Sequence, residues 1–206
     1  MGAGSVDSAA ARSRWPMAMA AAGVVLAALG LAMVPPDATL GGDIRAVFFH
    51  GAVTWTGIVM AVCSGVVGLG ALVLGWDVST RVWRLLTLAT VFWVLSLSLS
   101  FPVMRMTWGG VLWNEPKLLM SAEVVSTFLV AWAAALLIGK PWVTAAAAVV
   151  AAAVMAALLV TTPGAFHPDN PIFRSGNVRF IGSFLLVAGG LVLLAAGIVF
   201  WPRRPR

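Results

Sequence analysis

Six long apolar runs alternate along this chain with short polar breaks. They cover roughly 17–34, 47–74, 82–103, 118–138, 143–162 and 180–201. Each has about 20 or more predominantly apolar residues, the length that crosses a hydrocarbon core as helix. Pro35-Pro36, Gly75 with Asp77, Pro102, Pro116, Pro141 and Pro163 mark the breaks, as residues that interrupt helices should. The pattern predicts an all-α, polytopic membrane protein with six transmembrane helices. The second run extends about 42 Å as helix against a core near 30 Å, so it must tilt or protrude.

The runs divide the chain into a cytoplasmic N-terminal segment, 1–16, a six-helix transmembrane domain, 17–201, and a basic cytoplasmic tail, 202–206. "MGAGSVDSAAARSR" resembles the n-region of a signal peptide, but no small-x-small cleavage site follows, and the first run reads as a retained helix. The fifth run, "TAAAAVVAAAVMAALLV", is alanine-rich packing material. Counting Lys and Arg in the connections orients the helices. Arg12, Arg14, Arg81, Arg84, Lys140, Arg203, Arg204 and Arg206 fall on one side; Arg45, Arg105, Lys117, Arg174 and Arg179 fall on the other. The richer side is the cytoplasmic one, which places both termini inside and loops 35–46, 104–117 and 163–179 on the external face.

Composition agrees with the pattern. The chain is 61% hydrophobic and 10% charged, with a mean hydropathy of +1.01, whereas a soluble domain carries roughly 25% charged residues. The formal charge of +6 is scattered between apolar runs and forms no basic arm or helix, so it points to membrane topology and lipid contact rather than to nucleic acid. Cys63 is the only cysteine. It excludes an intramolecular disulfide, a CxxC pair and a cysteine metal cage. No P-loop is present, so any use of ATP belongs to a partner.

The chemically informative residues collect in the external loops. The chain has two histidines, His50 in "RAVFFHGAVTW" and His167 in "PGAFHPDNPIF". Without cysteine, HxxxH or HxxE spacing, a closed zinc site is poorly supported, while two imidazoles suffice to hold a haem iron from opposite faces. The loop "MRMTWGGVLWNEPKLLM" adds Trp108 and Trp113, and Trp55 follows His50 on the second helix. Indole faces either join the interfacial aromatic belt, as Trp15, Trp76, Trp83, Trp142 and Trp201 do, or stack on a flat macrocycle that Gly109-Gly110 lets the backbone approach. Arg45, Arg105, Lys117, Arg174 and Arg179 are candidate partners for haem propionates. Met104 and Met106 are alternative iron ligands in principle, though methionine usually fills space. Glu123 lies within the fourth helix, eight residues after Glu115 and on roughly the same side if the helix begins early. An intramembrane carboxylate is by default a functional candidate.

These residues resemble the haem-handling cytochrome c assembly proteins of the six-helix CcmC type. That family carries an external tryptophan-rich loop of the form WGxWWxWDPRLT, the WWD domain, with a histidine in each flanking external loop. The corresponding stretch here is "WGGVLWNEPKLL". Trp108, Gly109, Pro116 and Leu118 match; Glu115 replaces the Asp and Lys117 the Arg. Val111, Leu112 and Asn114 stand at the interior tryptophan positions, with Trp113 one place out of register. His50 in "FFHGAVTW" is similar to the family's "yvHVPaAW" element, and His167 stands where the second external histidine belongs.

The resemblance covers about residues 45–180. It implies that His50 and His167 are axial ligands of a transiently bound b-type haem, and that the loop holds the porphyrin for transfer in cytochrome c maturation at a prokaryotic cell membrane. It further implies partners such as a haem chaperone, an ABC-type haem export complex or other maturation proteins. The expected role is an assembly and haem-transfer factor and not an enzyme, since no catalytic constellation is seen. Three other readings stay open: a membrane electron-transfer subunit that retains its haem, a small-solute transporter with Glu123 lining its path, and a structural membrane subunit with no ligand.

Overall fold

The computed structural model describes residues 3–164 and 171–202, with side chains from Arg14 onward and that of Pro171 excepted. Seven helices occupy them: α1 (Ala3–Met33), α2 (Ile44–Leu74), α3 (Ser79–Trp108), α4 (Pro116–Ile138), α5 (Pro141–Thr161), α6 (Pro171–Arg174) and α7 (Val178–Val199). α6 is a single turn. The other six are long and apolar enough to cross a membrane. Among the described residues there is no strand, only an isolated bridge between Asp37 and Gly41. The chain is a six-span, all-α membrane protein.

Helix is the form that satisfies every backbone group inside one segment, as a hydrocarbon solvent requires. The ends follow local chemistry. α3 and α4 stop at Gly109 (φ 73°) and Gly139 (φ 66°), whose N–H groups bond the carbonyls of Arg105 and Ala135. This left-handed cap suits glycine because it has no Cβ. Pro116 and Pro141 open α4 and α5, where a missing N–H costs nothing.

Two helices run further than the apolar pattern predicts. α1 extends back to Ala3, through Pro16, and α3 passes Pro102 and continues to Trp108. A proline removes one helical hydrogen bond, and a packed transmembrane helix can tolerate that loss. Residues 104–108 of the expected loop are therefore helical, and the true connection is 109–115.

Successive spanning helices run antiparallel. The starts of α2, α4 and α7 and the ends of α1, α3 and α5 consequently share one end of the bundle, here the His50 end. α2 is central and packs on α3, α5 and α7. Its glycines make this possible: a Cβ at Gly57 would touch Trp93 of α3 at 3.4 Å, and one at Gly65 would meet the Ala152 Cβ of α5 at 2.6 Å. α1 packs chiefly on α7. There Gly23 and Gly190 lie so close that a Cβ on either would come within 2.6 Å of the other's carbonyl oxygen. Small residues at helix seams let backbones approach where the hydrophobic effect supplies no drive.

At the opposite end, Arg84 of α3 reaches the C-terminus of α7. One guanidinium nitrogen donates to the Val199 carbonyl at 2.9 Å and also to that of Trp201. Arg81 lies over the Phe200 ring, 5.8 Å from its centroid. Trp15, Trp76, Trp142 and Trp201 are exposed there, while Trp83 stacks on Trp132 at 5.8 Å.

Candidate functional site

His50 lies near the end of the second turn of α2 and is half-buried. Its own turn is tightly packed. Phe48 is buried, with its ring 5.4 Å from Phe180 and 6.2 Å from Phe184, and a Cβ at Gly51 would come within 3.3 Å of the Phe184 ring. One turn further in, the Thr54 hydroxyl bonds the His50 carbonyl at 3.0 Å and lies 2.6 Å from the Ser96 hydroxyl of α3. The imidazole is thus carried on a turn fixed against two other helices.

Trp55 lies on the same outer part of α2, is 46% exposed, and tilts against Phe173 of α6 at 6.2 Å. Phe173 meets Phe184 edge-on at 5.8 Å. Phe48, Trp55, Phe173, Phe180 and Phe184 form one aromatic group joining α2, α6 and α7. The sequence reading missed its phenylalanines. The i, i+4 spacing of Phe180 and Phe184 was the available signal.

The α3–α4 connection occupies the same end. Trp108 ends α3 and Trp113 lies in the connection, 37% and 67% exposed respectively. Trp113 packs on Phe101 at 5.7 Å. Gly109 serves as the cap of α3, and among the described residues a Cβ at Gly109 or Gly110 would meet nothing within 4 Å.

Glu115 is completely buried and is the N-cap of α4: its Oε2 accepts from the Leu118 N–H at 2.7 Å. A carboxylate at this position complements both the unpaired amides and the helix dipole. None of His50, Trp108 and Glu115 is without a partner. His167 lies outside the described residues.

Arg45, Arg105, Arg174 and Arg179 are exposed and Lys117 is half-buried, all at the His50 end. Met104 is buried at 2% exposure and belongs to the packing, whereas Met106 is exposed. Glu115 and Glu123 do not share a side: Glu115 is buried in the cap, while Glu123 is exposed on α4. The cap residue lies outside the helical register, so the eight-residue spacing does not apply to it. Among the described residues, no three His, Cys, Asp or Glu side chains converge to hold a metal ion. An open groove of about 310 Å³ lies at the opposite end, between Ser79, Thr80, Trp83, Leu136 and Pro141, and among the described residues its lining contains no ionisable side chain.

The fold and this end of the bundle define a polytopic membrane protein with an imidazole, indoles and cations gathered on one face. No protein-family model, curated protein or solved structure matches the chain.

Proposed function

We propose that the chain binds haem as cargo at its His50 end and passes it on during cytochrome c maturation. One observation carries this reading: the fixed, half-buried turn bearing His50 shares a bundle end with the exposed indoles of Trp108, which ends α3, and Trp113, in the α3–α4 connection. The donor set suits haem. A single imidazole on a rigid turn can ligate iron without a cluster of protein ligands, and exposed rings beside open backbone can cover an apolar macrocycle.

In this reading His50 and His167 ligate the iron. Trp108, Trp113 and Trp55 shield the porphyrin faces, and Gly109-Gly110 leaves room beside them. Arg45, Arg105, Lys117, Arg174 and Arg179 meet the propionates, with guanidinium forks suited to carboxylates. Glu115 holds the connection in place by capping α4. The His50 end is external, where an acceptor such as a haem chaperone would collect the cargo. Exposed rings and cations allow release, which a site for permanent electron transfer would not need. The solute-transport reading loses its residue, because Glu123 lies on an exposed face of α4 instead of lining the bundle interior.

The test is the absorption spectrum of the purified protein, oxidised and reduced, beside His50→Ala and His167→Ala. A low-spin haem spectrum lost or converted in both variants is expected. A wild-type protein that is colourless and takes up no added haem would sink the proposal.

A further inference from the structure

Glu123 is left without a role by the haem reading, and its surroundings point to one. It lies seven residues after Pro116, about 10 Å along the axis of a 23-residue spanning helix. The inward side of α4, through Met120, Val124, Phe128, Ala131 and Ala135, is buried, against neighbours in α3 and α5. Glu123 lies on the other side. Among the described residues, it is the only acidic residue on an exposed face within a spanning helix.

The residues around it form a stripe. Leu119, Glu123, Ser126, Val130, Ala133 and Leu137 recur at alternating steps of four and three. All but the half-buried Ala133 are exposed, with Val130 at 70% and Leu137 at 84%. Leu129 and Leu136 beside it are also exposed, and the stripe is the line along this face on which one neighbouring helix would pack. Ser126 and Ala133 keep the seam shallow enough for close approach. The Ser126 hydroxyl is turned back on the Ala122 carbonyl at 2.8 Å, so the carboxylate of Glu123 is the seam's specific polar feature.

We infer that this face of α4 docks a transmembrane helix of a different protein, one carrying a lysine or arginine in the part of its span nearest the His50 end. Charge complementarity selects that occupant. Hydrocarbon alone would leave the carboxylate unsolvated, and intramembrane acids characteristically face a partner or a cavity. A second copy meeting this seam about a two-fold axis along the membrane normal would set Glu123 against its own equivalent and offer it no opposite charge. A basic residue at matching depth satisfies the carboxylate and sets the register of the two helices. This inference does not depend on haem binding.

The test places a photo-crosslinker on the seam, as Val130→p-benzoylphenylalanine, in the full chain within its own host membrane. Adducts are identified by peptide sequencing in the Glu123, Glu123→Gln and Glu123→Leu backgrounds. The expected adduct is a spanning segment of another protein with Lys or Arg at matching depth, its yield falling several-fold in Glu123→Leu and less in Glu123→Gln. Glu123 is exposed, so neither substitution disturbs a packed contact, and unchanged helical content confirms that each variant folds. Adducts to lipid alone, to a second copy, to a helix without a basic residue, or at a yield indifferent to Glu123 would each overturn the inference.

Discussion

The hydroxyls of Thr54 and Ser96 lie 2.6 Å apart across the seam between α2 and α3, one turn below His50. Ser96 is 1% exposed, and Thr54 also reaches the His50 carbonyl. Apolar packing fixes how close two helices come, but it is weakly directional about each axis. A hydrogen bond is directional, so this pair sets the rotation of the turn that presents His50.

Ser96→Ala should therefore destabilise the bundle by about 0.6–2 kcal/mol and loosen the setting of His50. Carbethoxylation of the two histidines, followed by mass spectrometry, reads the setting directly. Faster modification of His50, no change at His167 and restoration by Ser96→Thr are expected. Identical rates in wild type and Ser96→Ala would show that packing alone orients the turn.

The α1–α7 seam makes a sharper prediction. At Gly190 a Cβ would lie 2.5 Å from the Ala27 amide nitrogen and 2.6 Å from the Gly23 oxygen; at Gly189 it would meet nothing within 4 Å among the described residues. Backbone cannot retreat as the tip of a flexible side chain can. Gly190→Leu should cost at least about 3 kcal/mol, at the upper end of overpacking penalties, whereas Gly189→Leu should stay within about 0.5 kcal/mol of wild type. Denaturant titration in a mild detergent distinguishes them, and equal midpoints would mean that α1 is not held through this seam.

These seams show how far the sequence could be read. Spanning helices are betrayed by hydropathy because the solvent demands it, and all six were legible. Their ends were less so. Pro102 reads as a terminator in water, yet α3 passes through it and takes Met104 into the packing. Facing was harder still, since spans apolar on every side carry little periodic signal; nothing in "AAGVVLAALG" announces that Gly23 meets Gly190. At the candidate site, His50 and the stretch from Trp108 to Glu115 stood out because polar residues are rare here. The burial of Glu115 and the outward setting of Glu123 did not, because a cap and a helical face look alike in sequence.

The turn between α1 and α2 should respond to acid through Asp37. Its Oδ1 accepts from the Thr39 amide at 2.8 Å and the Leu40 amide at 3.0 Å. Bonds from the Leu40 backbone, then from Thr39, hold its carboxyl below the ordinary aspartate value. A lowered acid contributes stability above its unfolded value and loses it as pH falls through the folded one. The turn should thus stay closed through the ordinary carboxylate range and open only in stronger acid. Amide resonances of Thr39 and Leu40 followed against pH would check this, with Asp37→Asn removing the transition. A midpoint at or above the ordinary aspartate value would contradict it.

Arg84 ties α3 to α7 at the end away from His50. The last carbonyls of a helix have no intrahelical donors, and the partial negative charge of its C-terminus favours a cation. One guanidinium answers both needs by reaching the carbonyls of Val199 and Trp201. A hydrogen bond from a charged donor is worth about 1.5–3 kcal/mol, so Arg84→Ala should lower stability by about that much. Arg84→Lys should recover only part of it, because an ammonium is a point charge without the fork's several fixed donors. The loss should appear first as faster amide exchange in the last turn of α7, while amides near Phe184 at the other end keep their protection. Uniform loss along α7 would mean that Arg84 supports the whole helix and not its terminus.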